Sequence, residues 1–108
     1  MVYWITGRRN SGKTTLACKI AKQTNGVVID GDEIRKIYPT GFSDDDRYNH
    51  IIRMAKSAKK IEDSGQVAIV ACISPKSAWR KEAQNMFVDC VEIMLPFGDL
   101  WAGTEYEE

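Results

Sequence analysis

The chain has 108 residues, enough for one domain with one real core and too few for two. Apolar residues make up 44% and charged residues 28%, which excludes a disordered, collagenous or coiled-coil chain. The longest apolar runs, such as residues 67–73, are far too short to span a bilayer, so no membrane partner is expected. Met1 to Thr6 leads straight into Gly7 and Arg8, without the basic and apolar stretches of a secretory signal.

Net charge is zero but unevenly spread: residues 1–60 hold 12 Lys/Arg against 6 Asp/Glu, and residues 61–108 hold 3 against 9. An anionic ligand is expected to meet the first half, unless these charges only coat exposed faces. Zero overall charge argues against a large nucleic-acid footprint. The three cysteines, Cys18, Cys72 and Cys90, are odd in number and form no Cys-x-x-Cys pair, so a reduced, cytoplasmic compartment is expected. Cys72 and Cys90 read as small buried hydrophobes. His50 is the one histidine, and it cannot complete a zinc site with such scattered cysteines.

The elements follow in chain order. Residues 2–5 read as a short buried strand, and a glycine-rich turn runs from Gly7 to Gly12. From Lys13 to about Thr24 the apolar positions recur at helical spacing, and Asn25-Gly26 stops that helix. Residues 27–29 form a second buried strand ending at Asp30-Gly31-Asp32. Asp32 is placed to cap a short helix carrying Ile34 and Ile37, halted at Tyr38-Pro39. Ser43-Asp44-Asp45-Asp46 has the form of a helix-start box. A long helix should run to about Ser64, with Ile51, Met54, Ala55, Ala58 and Ile61 inward and Gly65 as its stop. Residues 67–73 are a third strand, apolar without alternation, as parallel strands buried on both faces are. Ser74 as cap and Pro75 at the first helical position predict the next helix. Residues 86–95 read as a fourth strand, near the sheet edge because of Asp89 and Glu92, and Pro96 to Gly98 ends it.

Strands alternating with helices imply a parallel α/β sheet, in which ligands bind beyond the carboxyl ends of the strands. The unusual residues fall there. Gly7, Arg8, Arg9, Asn10, Ser11, Gly12, Lys13 and Thr14 match Gly-x-x-x-x-Gly-Lys-Ser/Thr in full, with Thr15 following, between a strand and a helix. The loop's backbone N–H groups point inward at phosphate oxygens, and the helix N-terminus adds partial positive charge. Lys13 can reach the outer phosphates of ATP, and Thr14 can ligate Mg²⁺. Arg8 and Arg9 either add charge toward phosphate or face solvent. The expectation is a three-layer P-loop NTPase-type α/β fold: a parallel sheet of about four strands, order 2-3-1-4, flanked by helices.

The second constellation is Asp30-Gly31-Asp32-Glu33-Ile34-Arg35. One carboxylate there can hold Mg²⁺ through water while the other takes a proton from an attacking hydroxyl. Arg35, one turn after Asp32, can hold an anionic acceptor. The alternative is a capping Asp32 with an incidental ion pair.

The ordered set of motifs resembles the adenylylsulfate (APS) kinase family. These are the loop from Gly7 to Thr15, then Asp30 to Arg35, then Gly41-Phe42-Ser43-Asp44-Asp45-Asp46-Arg47, then Ile73-Ser74-Pro75. The resemblance implies transfer of the ATP γ-phosphate to the 3′-hydroxyl of APS, giving 3′-phosphoadenylylsulfate and ADP, in sulfate assimilation. It implies Asp32 as general base, with Lys13 and Thr14 on ATP and Mg²⁺ and Asp30 supporting the metal. Arg35 and Arg47 would hold the sulfate–phosphate end, Phe42 would stack on the adenine, and Ile73 and Ser74 would lie beside the substrate. Taken alone, Phe42 reads as a core or staple residue.

The chain departs from the family pattern in three places. His50 stands where the family has an Asn in the substrate contact, and Ile52 where it has an Arg, while Arg53 matches. Residues 95–100 carry no basic residue where the family has an Arg- and Lys-rich lid. The expectation is one kinase domain over residues 1–108, lacking most of that lid and the family's closing strand and helix. Trp101 in the acidic tail is either the second aromatic against the adenine or a plug for the core. Two other readings stand beside the APS kinase. One is a kinase of this architecture for another hydroxyl acceptor, a nucleoside or polynucleotide 5′-end. The other is a non-catalytic nucleotide-binding module, against which the retained Lys13, Asp30 and Asp32 speak. The family is often dimeric, and an exposed sheet edge leaves a homodimer open.

Overall fold

The computed structural model describes residues 1–8, 11–41, 43–96 and 98. Eight elements alternate along it: β1 (Val2–Gly7), α1 (Lys13–Thr24), β2 (Val27–Asp30), α2 (Gly31–Ile37), α3 (Asp44–Asp63), β3 (Ala68–Cys72), α4 (Ser77–Gln84) and β4 (Cys90–Leu95). The four strands pair in parallel in the order β2-β3-β1-β4, as expected from the sequence.

Side-chain alternation sorts the central strands onto two cores. Val2, Trp4, Ala68, Val70 and Cys72 pack with Ile51, Met54, Ala55 and Ala58 of α3 and Ala83 of α4. Ile5, Ile69 and Ala71 pack on the opposite face with Ala17, Leu16 and Ile20 of α1. Both faces of β1 and β3 are therefore covered, which is why these strands read as continuous apolar runs. β4 is an edge strand, and its exposed Val91 and Glu92 match that place.

The helix ends follow local chemistry. Asn25 caps α1 in the left-handed conformation, its N–H donating to the Ala21 carbonyl. Ser43 caps α3: its hydroxyl accepts from the Asp46 N–H at 3.1 Å and donates to the Asp46 carboxylate at 2.8 Å.

Three expected element boundaries fail, and two burial expectations as well: β2 lies at a sheet edge with Val27 exposed, and Cys90 is half-buried on the other edge strand. Asp32 does not cap α2. β2 ends at Asp30, whose extended backbone suits a cap, and its Oδ1 accepts from the Asp32 N–H at 2.9 Å. Ser74-Pro75 does not open α4, which starts at Ser77 behind Lys76 with no side-chain cap. Ser74 has a φ of 39°, incompatible with an N-cap, because its hydroxyl is held inside the sheet. Finally, β4 starts at Cys90 rather than residue 86, because Met86 and Phe87 fill the core from a loop. No helix among the described residues is long and apolar enough to cross a membrane.

Candidate active site

The β1-to-α1 turn sets up the first half of the site. Gly12 precedes α1 with a φ of 92° in open space, so its conformation and not its size requires glycine. At Gly7 size decides: a Cβ would meet Ser11 Oγ at 2.9 Å and the Leu95 carbonyl at 3.0 Å. Lys13 folds back over this loop. Its Nζ donates to the carbonyls of Arg8 at 2.6 Å and Gly7 at 3.1 Å, and to Ser11 Oγ at 3.3 Å. Burial holds the Lys13 ammonium below its ordinary pKa, offset in part by Cys72, Asp32 and Asp30.

Asp30 joins the two motifs. Its Oδ2 accepts from the Thr14 hydroxyl at 2.8 Å while its Oδ1 caps α2. The Thr14 hydroxyl and the Asp30 carboxylate therefore stand together as hard oxygen donors. That set suits Mg²⁺, which takes few protein ligands and relies on phosphates and water for the rest. Asp32 is exposed on the first turn of α2, and no hydrogen bond reaches its carboxylate among the described residues.

The second half comes from α2 and α3. Arg35 Nη1 donates to the Gly41 carbonyl at 3.2 Å and the Thr40 carbonyl at 3.5 Å, tying α2 to the loop before α3. Burial lowers the Arg35 pKa, and the like charge of Arg47 lowers it further. Two guanidinium groups held together in this way suit an anion. His50 is 5% exposed, and its Nδ1 meets no hydrogen-bonding group among the described residues. Its Nε2 faces Gly31, where a Cβ would sit 3.4 Å away. Burial, then the charges of Arg35 and Arg53, push its pKa down to about 4, so the ring is neutral at pH 7.

These groups line one cleft of about 670 Å³ at the carboxyl ends of the strands. It brings together Ser11, Gly12, Lys13, Thr14 and Thr15 with Asp30, Asp32, Arg35, Arg47, His50, Ile73 and Ser74. Gly7 and Arg8 take part through the carbonyls that hold Lys13. Sequence reasoning missed Gly31, Ile51, Ala71, Cys72 and Pro75, which also line the cleft. None of the five is charged; Gly31, Ile51, Cys72 and Pro75 each adjoin a residue the sequence singled out for the site, and Ala71 adjoins none. The expectations for Arg9, Asn10, Phe42 and Trp101 lie outside the described residues.

The sequence profile of the adenylylsulphate kinase family matches residues 1–102. The chain is 36% identical to a probable adenylyl-sulfate kinase of Archaeoglobus fulgidus over 99 residues, covering 85% of this chain and 64% of that one. It is 40% identical to the adenylyl-sulfate kinase of Yersinia pestis over 93 residues, covering 80% and 44%. Among solved structures it is similar to the Mycobacterium tuberculosis APS kinase CysC in complex with AMPPNP and APS, with a TM-score of 0.81 and 28% identity. That match covers 87% of this chain and 61% of the other. The chain thus spans less than two thirds of the length of each of these relatives. On its ordered motifs, its strand order and the profile match, it belongs to the adenylylsulphate kinase family.

Proposed function

We propose that the chain is the core of a small-molecule kinase that phosphorylates the 3′-hydroxyl of APS, using ATP and Mg²⁺. One observation carries this reading: a phosphate-binding loop, two carboxylates and a pair of arginines share one cleft. The relative solved with AMPPNP and APS supports the choice of donor and acceptor.

Asp30 and Asp32 have separate tasks. Both oxygens of Asp30 are in use, one on Thr14 and one on the Asp32 N–H. The Asp32 carboxylate takes the acceptor hydroxyl's proton as the new O3′–P bond forms and the bond from the γ-phosphorus to the ADP oxygen breaks. Lys13 leaves the loop carbonyls for the phosphates, whose charge better matches a buried ammonium. Thr14 and Asp30 would hold Mg²⁺, which would neutralise phosphate charge when bound. Arg35 and Arg47 take the anionic end of the acceptor. Phe42 and Trp101 are assigned to its adenine on the family resemblance.

The reading extends to one kinase domain over residues 1–108, whose residues 95–100 carry no basic residue where the family has a basic lid. It extends to a cytoplasmic setting, supported by three unpaired cysteines, and to a homodimer, supported by the outer edges of β2 and β4, which pair with no further strand among the described residues. The place of its product is sulfate assimilation. A different hydroxyl acceptor is the second reading, favoured by the neutral His50 in the acceptor half of the cleft.

Asp32→Ala tests the assignment. Turnover should vanish while MgATP binding stays within about twofold of wild type, as for loss of a group acting on the proton alone. Full turnover in Asp32→Ala would remove it as the base.

A further inference from the structure

Ser74 combines burial with an unusual backbone. It is 2% exposed and has a φ of 39°, in the left-handed region that a residue with a Cβ holds only when its surroundings enforce it. Its hydroxyl is fully engaged. It accepts from Trp4 Nε1 at 3.3 Å and from Cys72 Sγ at 3.4 Å. Its own hydrogen then goes to Thr6 Oγ1 at 2.9 Å, since Thr6 donates its hydrogen to the Ile73 carbonyl at 2.7 Å. The Ser74 carbonyl accepts from Arg80 Nη1 at 2.8 Å. Arg80 lies on the first turn of α4 and is 3% exposed.

The network on the hydroxyl ties the side chain to β1 and β3, and it keeps its geometry only while the backbone holds the left-handed turn. The direction of the chain as it leaves the sheet depends on the carbonyl, and Arg80 holds that. The residues on either side, Ile73 and Pro75, line the cleft, whereas Arg80 does not. Arg80 reaches the cleft wall through the Ser74 carbonyl.

The layers of the fold say which half of the cleft this turn serves. The phosphate loop leads into α1 on one face of the sheet. Arg47 and His50 stand on α3, and the turn leads to α4, both packed on the other face. We propose that Arg80 is a positioning residue for the acceptor: it locks the left-handed turn at Ser74 so that Ile73, Ser74 and Pro75 form a fixed wall of the acceptor half. This rests on the kinase reading above.

The test uses the full chain and two readouts. One is solvent exchange of the Trp4 indole N–H, which reports the Ser74 posture directly. The other is the pair of Michaelis constants for APS and MgATP. Arg80→Met removes the donors and keeps the apolar stem. It should speed indole exchange about tenfold and raise the KM for APS about tenfold, as expected for a buried hydrogen bond from a charged donor. The KM for MgATP should stay within about twofold. Arg80→Lys keeps the charge with a shorter reach, should show the same split at about threefold, and serves if Arg80→Met does not fold. Equal rises in both constants, or an unmoved indole together with an unmoved KM for APS, would overturn the assignment of Arg80 alone. A wild-type chain that neither binds nor phosphorylates APS would overturn the kinase reading, and this assignment with it.

Discussion

His50 should make the protein lose stability well above the pH at which its carboxyl groups titrate. In the unfolded chain the imidazole takes a proton near its ordinary pKa of 6.5, whereas the folded protein resists it down to about 4. Burial is the main cause, and Arg35 from α2 and Arg53 from α3 add to it. As pH falls from 6.5 toward 4 the unfolded state binds more protons, so stability falls with pH across that window. A difference of this size is worth about 3 kcal/mol in all, of which about 2 kcal/mol is lost between pH 7 and pH 5. With a urea m-value of about 1.3 kcal/mol per molar, the unfolding midpoint drops by roughly 1.5 M. Urea titrations of wild type and His50→Gln at pH 7, 6 and 5 measure this, and the variant should be flat over the same range. Because the chain has one histidine, its ring resonance also reads the folded pKa directly. A resonance midpoint at or above 6, or equal pH slopes in both proteins, would refute the reasoning.

Glu62 controls a lower pH window. It accepts the N–H groups of Val88 at 2.9 Å and Asp89 at 3.2 Å and pairs with Lys59 at 3.3 Å, clipping the end of α3 to the start of β4. Burial alone would raise its pKa, but these donors outweigh it and hold the carboxyl at about 2. Its contribution is therefore present above pH 4.5 and lost as pH falls from 4.5 to 2. Glu62→Gln should lower stability by about 1.5–3 kcal/mol at pH 7 without changing either Michaelis constant; a kinetic effect in a stably folded variant would contradict its purely structural place. Asp30→Ala removes the α2 cap and the Thr14 partner together. Stability should fall by about 1 kcal/mol, and nucleotide affinity should fall more with Mg²⁺ present than without it. Equal losses in the two titrations would take Asp30 out of the metal site.

The parts of this fold that follow near-neighbour chemistry were legible in the sequence. The phosphate loop, the limits of α1, the Asn25 stop and the Ser43 box depend on residues within one turn of each other. The edge position of β4 was written in Asp89 and Glu92. What failed depended on distant partners. Asp30 and Asp32 are chemically equal on either side of a glycine, and only the end of β2 selects Asp30 as the cap. Ser74-Pro75 satisfies a local helix-start rule, but Trp4 and Thr6, some seventy positions away in sequence, take the hydroxyl first. Met86 and Phe87 continue an apolar run, and nothing local separates core-filling loop residues from a strand. Arg80 carried no signal in sequence, because a single arginine on a helix usually faces water.

The most direct test is ADP release from MgATP by the full chain, with and without APS, with Lys13→Ala alongside. APS-dependent ADP release that disappears in Lys13→Ala is the predicted result. ADP release that ignores APS, or MgATP binding with no release at all, would contradict the claim that this cleft transfers phosphate to APS.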